Sequence, residues 1–128
     1  MEEIQESIKS IQIQESDVIK EIVVNLTLDE QGFQKYTTEK INGMFKTLII
    51  EKDVSPVRII IKMANHDVIL FDKSVEKPTD IFNLKWQPQD SNGINWQFDV
   101  TEIALNDPLY MELIGKPGQN IKVTIRYA

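Results

Sequence analysis

The side chains best suited to chemistry in this chain are its single histidine and the carboxylates near it. His66 stands next to Asp67 in a polar stretch that predicts a turn. A catalytic histidine needs a nucleophile to deprotonate, and the sequence has no cysteine and no G-x-S-x-G segment. We therefore predict that His66 is a solvated turn residue and that the chain is not an enzyme.

A second candidate site is Asp90-Ser91-Asn92-Gly93, which has the composition of a calcium-loop fragment. The later acidic ligand of a helix–loop–helix calcium site is missing at the required spacing. The loops of a β-sandwich can also hold calcium, and Asp90 would then meet Asp53 or Asp107 at one end of the fold. Because the same four residues are above all a turn sequence, we predict no bound metal and no cofactor.

The aromatic residues offer a third possibility, a platform on which a sugar ring stacks. Trp86 and Trp96 would form it, together with Phe82, Phe98 and Tyr110. Both tryptophans continue the apolar side of their predicted strands. Packing in a core or an interface is therefore favoured over sugar binding, since aromatic side chains dominate the energetics of both.

Composition and charge exclude several classes of protein. The 128 residues include no cysteine, which excludes disulfide-stapled scaffolds and thiolate metal sites. Residues 1–30 carry eight acidic and two basic side chains, so the whole net charge of −6 lies there and the remainder is neutral. An acidic arm on a neutral body argues against a nucleic-acid partner. No apolar run is long enough for a membrane span, and residues 1–10 lack the basic start and apolar centre of a signal peptide.

Short segments rich in branched and aromatic side chains, each bounded by Gly, Pro, Asn, Asp or Ser, recur from residue 20 onward. Branched side chains pack well on a pleated surface, and alternation predicts one buried face per strand. The pattern predicts an all-β, antiparallel β-sandwich of 7–8 strands, either jelly-roll or immunoglobulin-like. The predicted strands cover residues 21–28, 44–51, 57–63, 68–72, 81–86, 95–100, 109–114 and 120–127.

The connections between these strands are predicted from local turn residues. Asn42-Gly43 predicts a tight turn, and residues 101–105 suit one short helical turn. Asn106-Asp107-Pro108 predicts a further turn. Residues 109–114 and 121–127, joined by a Gly- and Pro-containing loop, predict a final hairpin.

The chain divides into two predicted parts, an acidic N-terminal arm or helix over residues 1–19 and a β-sandwich domain over residues 20–128. The arm contains isoleucines at helical spacing and also a short alternating stretch, so both a helix and an extended strand fit. Such an arm could add a strand to a neighbour's exposed sheet edge. The candidate assembly residues are Ile4, Ile8, Ile11 and Ile13.

Two parts of the sequence resemble a known class of protein. They are residues 41–59, with Ile41-Asn42-Gly43-Met44-Phe45 and Ser55-Pro56-Val57, and residues 105–127, with Asn106-Asp107-Pro108 and Gly118-Gln119-Asn120. Together they resemble small β-sandwich structural proteins of tailed-phage virions, of the head-decoration or accessory type. The resemblance implies a non-enzymatic protein, displayed on or built into a particle, without a cofactor.

The leading interpretation is thus a virion structural protein, a capsid decoration or accessory component that is made in the host cytoplasm. Its expected partners are other copies of itself, in a symmetric homo-oligomer with a trimer as the candidate, and a major capsid or other virion protein. The alternative is a carbohydrate- or receptor-binding β-sandwich module, in which Trp86, Trp96 and the Asp90 loop carry the site.

Overall fold

The computed structural model describes residues 19–66, 68–86 and 101–128, with the backbone alone at residues 85, 86, 101 and 102. Within these ranges, eight strands form an antiparallel all-β fold, as the sequence predicts. They are β1 (Lys20–Thr27), β2 (Phe33–Lys52), β3 (Val57–Met63), β4 (Val68–Val75), β5 (Thr79–Phe82), β6 (Lys85–Trp86), β7 (Thr101–Ile114) and β8 (Asn120–Tyr127). None of the residues described forms a helix that could cross a membrane.

The longest strand, β2, belongs to two layers. Its first part, residues 33–45, pairs with β7, and its last part, residues 45–52, pairs with β8 on one side and β5 on the other. We call β1, β8, residues 45–52 of β2, and β5 the β8 layer. Residues 33–45 of β2, with β7, β3 and β4, form the β7 layer. The short strand β6 pairs with the start of β7.

The core lies between the two layers and consists of inward side chains at every second position. In β8 these are Ile121, Val123 and Ile125, and in β7 they include Met111 and Leu113, all almost completely buried. At the rim, Phe71 of β4 meets Phe82 of β5 edge-to-face, with ring centroids 4.9 Å apart. One buried cluster thus joins both layers, which is the arrangement of a β-sandwich.

The predicted tight turn at Asn42-Gly43 is wrong, because both residues lie inside β2. Here the strand passes from one layer to the other, and the last residue of the chain pairs with it. The Met44 N–H donates to the Ala128 carbonyl oxygen at 2.6 Å, and the Ala128 N–H donates to the Met44 carbonyl at 2.9 Å. Gly43 has φ +143°, and a Cβ there would overlap that Ala128 carbonyl. The glycine therefore permits a close approach of two backbones.

The helical turn predicted for residues 101–105 and the turn at Asn106-Asp107-Pro108 are also wrong, since both lie in β7. Proline is tolerated there because β2 has a bulge opposite, between Thr37 and Lys40. The hydroxyl of Thr38, within this bulge, accepts the Leu109 N–H at 2.9 Å. At the bulge, the Leu109 N–H is thus bound by a side-chain oxygen of β2 and not by a backbone carbonyl of that strand.

The final hairpin predicted from residues 109–127 does not form. β7 pairs with β2, β3 and β6, whereas β8 pairs with β1 and β2, so residues 115–119 cross from one layer to the other. The chain reverses at residues 29–32, 53–56 and 64–66, and the last of these is the turn predicted around His66. In the first, the Asp29 carboxylate accepts the N–H groups of Gln31 and Phe33, each at 2.9 Å.

Candidate functional site

Most of the functional residues predicted from the sequence lie outside the part of the chain that the structure describes. This holds for the assembly residues Ile4, Ile8, Ile11 and Ile13, for Trp96, and for Asp90. Trp86 is placed by its backbone alone, in β6 opposite Thr101. The assembly arm and the tryptophan site therefore stay predictions.

Two further members of the proposed sugar platform are placed apart from each other. Phe82 packs against Phe71, with the Lys73 ammonium 4.9 Å from its ring centroid. Tyr110 lies on the outer face of the β7 layer, where the Lys62 ammonium is 5.5 Å from its ring centroid. The two rings belong to different surfaces, so a platform that contains both is wrong.

His66 lies in the β3–β4 turn, as predicted, and its side chain is 65% exposed. It is also paired: its Nδ1 lies 2.5 Å from Oδ2 of Asp107, whose side chain is only 3% exposed. The Asn65 amide donates to the other carboxylate oxygen of Asp107 at 3.2 Å. Asp107 points inward because side chains alternate between the two faces of a strand, and the buried residues Leu105 and Leu109 lie two positions before and after it. Two turn side chains thus cover a carboxylate at the end of the core.

This pair shifts the titration of the buried carboxylate. The hydrogen bond from His66, followed by its charge and by the Asn65 hydrogen bonds, holds the pKa of Asp107 below its usual range against the opposing effect of burial. An open groove of about 300 Å³ lies beside the pair, lined by Met63, His66, Val68, Ala104, Asn106 and Asp107. None of these lining residues is a serine, threonine or cysteine, so the groove as described offers His66 no nucleophile to activate.

A second polar cluster surrounds Asp53, before the start of β3. Its carboxylate accepts the Ser55 N–H at 3.0 Å and the Gln119 amide at 2.9 Å, and the Lys116 ammonium lies 3.3 Å away. The Ser55 hydrogen bond is the main reason that the pKa of Asp53 is lowered. Asp53 and Asp107 lie at opposite ends of β3, so they cannot share one calcium ion. The described residues contain no group of three or more His, Cys, Asp or Glu side chains that could hold a metal.

The outer face of the β8 layer carries a row of side chains without charge. The strand register aligns Val23 of β1 with Thr124 of β8, Thr124 with Ile49 of β2, and Ile49 with Ile81 of β5. The two end members are the most exposed, Val23 at 45% and Ile81 at 58%, whereas Thr124 is 5% exposed. At about 4.8 Å between strands, this row is about 14 Å wide. We call these four residues the apolar row.

Ion pairs flank the apolar row on both sides. On one side, Arg126 of β8 binds Glu21 of β1 at 2.9 Å and aligns with Thr47 of β2. On the other side, the Lys122 ammonium of β8 lies 3.7 Å from the Glu51 carboxylate of β2. All four charged side chains are about half exposed. An apolar centre with a polar rim is the composition of a protein interface.

An open groove of about 490 Å³ lies where this face meets the start of β8. Its outward polar lining comes from three neighbouring strands. Thr27 donates its hydroxyl hydrogen to the Asn120 amide oxygen at 2.6 Å. The lining residues are Asn25, Leu26, Thr27, Glu51, Lys52, Asn120, Ile121 and Lys122.

The apolar row is not among the functional residues predicted from the sequence, although a signal for it is present there. A half-buried strand alternates apolar and polar residues, whereas consecutive apolar residues place some on each face. Val23 follows Ile22, Ile49 lies between Leu48 and Ile50, and Ile81 precedes Phe82. In each case the extra apolar residue has the outward phase of its strand.

Three solved structures illustrate what this chain is similar to. It is similar to FLHE, with 6% identity and a TM-score of 0.41 over 85% of this chain and 96% of that one. The C-terminal CBM6 of LamC, a marine laminarinase from Zobellia galactanivorans, has 10% identity and a TM-score of 0.42 over 87% and 89% of the two chains. The infectious bursal disease virus Gx strain structure has 7% identity and a TM-score of 0.27 over 84% and 32%. No protein-family model and no curated protein sequence matches the chain.

Proposed function

We propose that this chain is a non-enzymatic structural protein that acts by binding other protein surfaces, and that it serves a virion as a capsid decoration or accessory component. The observation that carries the binding role is the apolar row, whose two end members, Val23 and Ile81, are exposed at the surface. Contiguous apolar surface with a polar rim is characteristic of interaction sites. The assignment to a virion follows from the resemblance of residues 41–59 and 105–127 to phage structural proteins.

The experiment that tests this proposal is fractionation of a culture in which particles and the full chain are made together. Particles are separated on a density gradient, and their protein content is measured by peptide mass spectrometry. We expect the chain in the particle band at a fixed ratio to the major capsid protein. A chain found wholly in the unbound fraction, while the particles are intact, contradicts the virion role.

A second candidate function is carbohydrate binding, and the groove at the start of β8 is the observation that favours it. Its lining presents amide, hydroxyl, carboxylate and ammonium groups, which are the partners that sugar hydroxyls need. Screening of the full chain on a glycan array tests it, with tryptophan fluorescence as a second readout. Reproducible binding that Asn25→Ala and Asn120→Ala abolish supports this alternative, and binding that survives both substitutions excludes this groove.

A further inference from the structure

The outer face of the β8 layer is complementary to itself. We infer that it pairs face to face with the same face of a second copy of this chain, about a twofold axis that runs parallel to the strands between β8 and β2. This inference rests on the proposed binding role and names its partner. In such a pair each cross-strand row meets the same row of the other copy with the strand order reversed.

Charge is the first reason to assign a second copy to this face. Lys122 and Glu51 lie in one row on the two central strands. The twofold axis places Lys122 of each copy opposite Glu51 of the other, so the four charges alternate in sign. In the opposite row, Arg126 meets Thr47, which carries no charge. No like charges face each other within these two rows of central side chains, and such matching selects the correct partner and register.

The apolar row matches under the same operation. Val23, at one end, meets Ile81 at the other end in the second copy, and Ile49 meets Thr124. The two most exposed members of the row thus cover each other twice in the pair. Burial of these side chains provides the apolar part of the free energy of association, and the flanking ion pairs form the polar rim of the interface.

A twofold axis perpendicular to the strands is the competing face-to-face arrangement. It exchanges the two flanking rows, so Arg126 of each copy meets Lys122 of the other. Two like-charge contacts would then border the apolar row, which disfavours this arrangement. The row pattern therefore selects one orientation of the second copy.

The size of the face indicates how strongly two copies are expected to associate. β1, β8 and residues 45–52 of β2 are each eight residues long and β5 is four, so at about 4.8 Å between strands and about 3.3 Å per residue the projected area is about 450 Å². This footprint is smaller than that of a standard stable interface, which buries about 800 Å² of accessible surface per partner. We expect a reversible pair whose population depends on the chain concentration.

The first test measures the molecular mass of the full chain by light scattering with size exclusion, over a range of concentrations. Ile81→Arg is expected to weaken self-association at least about tenfold, because it buries a charge against Val23 of the other copy. Ile69→Arg is the matched control, since Ile69 also lies on an edge strand and is also 58% exposed, but on the β7 layer. The control is expected to associate as the unchanged chain does.

The second test uses charge and leaves the apolar row intact. Lys122→Glu gives four facing carboxylates in a pair, and Glu51→Lys gives four facing ammonium groups, so each variant alone is expected to dissociate. An equimolar mixture is expected to restore the pair, because each copy then faces the opposite sign. Repair within one chain cannot explain this rescue, since Lys122→Glu and Glu51→Lys both keep a like-charge pair internally.

Three results would overturn the inference: a monomer at every concentration up to about 1 mM, an oligomer unaffected by Ile81→Arg, or separate charge variants that do not associate when mixed. The second result would assign assembly to another surface, including residues 1–18. Circular dichroism shows whether each variant is folded. If Ile81→Arg is unfolded, the mixture of Lys122→Glu and Glu51→Lys alone decides whether the face pairs with itself. A monomeric chain that is still found in the particle band would overturn the pairing and leave the virion proposal standing.

Discussion

The two outer faces of this sandwich are both built from antiparallel strands, but they differ in how charged side chains are distributed across them. On the β8 layer, one row crosses four strands without a charge, from Val23 to Ile81. On the β7 layer, every comparable row contains a charged side chain. These rows are Phe33–Ile114–Arg58, Lys35–Glu112–Ile60 and Thr37–Tyr110–Lys62.

The difference shows that the arrangement of apolar residues matters more than their number. The β7 layer also exposes isoleucines, Ile69 at 58% and Ile114 at 42%. They lie in separate rows, and the Arg58–Asp72 ion pair lies between them, with two hydrogen bonds of 3.0 Å each. Isolated exposed apolar side chains are common on protein surfaces, whereas contiguous ones mark contact sites. This contrast is the reason that we propose the β8 layer, and not the β7 layer, as the binding face.

The two outer faces keep their positions only while the layers stay packed together. We therefore expect the largest loss of folding stability from substitutions where the edges of the two layers meet. Phe71→Ala removes a buried ring from the contact with Phe82, and we expect it to lower the free energy of unfolding by about 3–5 kcal/mol. Phe82→Ala is expected to cost about 2 kcal/mol, because that ring is only partly buried. Urea unfolding followed by circular dichroism measures both, and equal losses would contradict the unequal burial.

The passage of β2 between the layers offers the next test. Gly43→Ala is expected to cost about 3 kcal/mol, because φ is +143° and the added Cβ would overlap the Ala128 carbonyl. Gly118→Ala is the control, with φ +76° and no atom within 4 Å of the added Cβ, and its expected cost is about 1 kcal/mol. Thermal unfolding of both variants gives the comparison. Similar losses would show that backbone strain alone, without the close approach, explains Gly43.

The two layers are also expected to differ in their response to acid, through Asp107 on the β7 layer. Because its pKa is lower in the folded state, this carboxylate stabilises the fold above its ordinary pKa, and the contribution is lost as the pH falls below about 4. Asp107→Asn should therefore be less stable than the unchanged chain at pH 7, and the difference should shrink in acid. Urea unfolding between pH 7 and pH 2 measures this. Asn65→Ala removes an amide that donates to this carboxylate, so it should lower stability at pH 7 by less than Asp107→Asn does, and its effect should also shrink in acid.

The smallest effect is expected from the charged rim of the β8 layer. Glu21→Gln removes the ion pair with Arg126, in which both side chains are about half exposed. We expect the loss of folding stability to stay below about 1 kcal/mol and to disappear in 1 M salt. Urea unfolding at low and high salt tests this. A larger loss that persists in salt would mean that the rim stabilises the fold itself and does not merely select a partner.

The sequence predicts the fold class because burial imposes a period of two on the strands. Ile121, Val123 and Ile125 alternate in the sequence and all face the core. The errors arise where long-range contacts override a local turn signal. Asn42-Gly43 stays extended because Ala128 pairs beside it, and Pro108 stays in β7 opposite a bulge of β2, where the Thr38 hydroxyl accepts the N–H of the next residue, Leu109. No local window contains those partners.

The candidate surface was missed for a related reason. Val23, Thr124, Ile49 and Ile81 are separated by up to 101 positions along the chain, and they become neighbours only through the pairing of β1, β8, β2 and β5. Strand order cannot be derived from alternation, so no row across strands could be read from it. The same limit applies to the His66–Asp107 pair, because residues 66 and 107 meet only when the β3–β4 turn closes over β7.

The twenty residues of β2 give the domain a property that neither layer has alone. This strand is bonded to β7 along one part and to β8 and β5 along the other, without a loop between them. A pulling force applied to one sheet therefore reaches the other through a continuous covalent backbone, as well as through packed side chains. For a component that must withstand internal pressure or shear, the two sheets would resist load as one mechanical unit and would not slide apart.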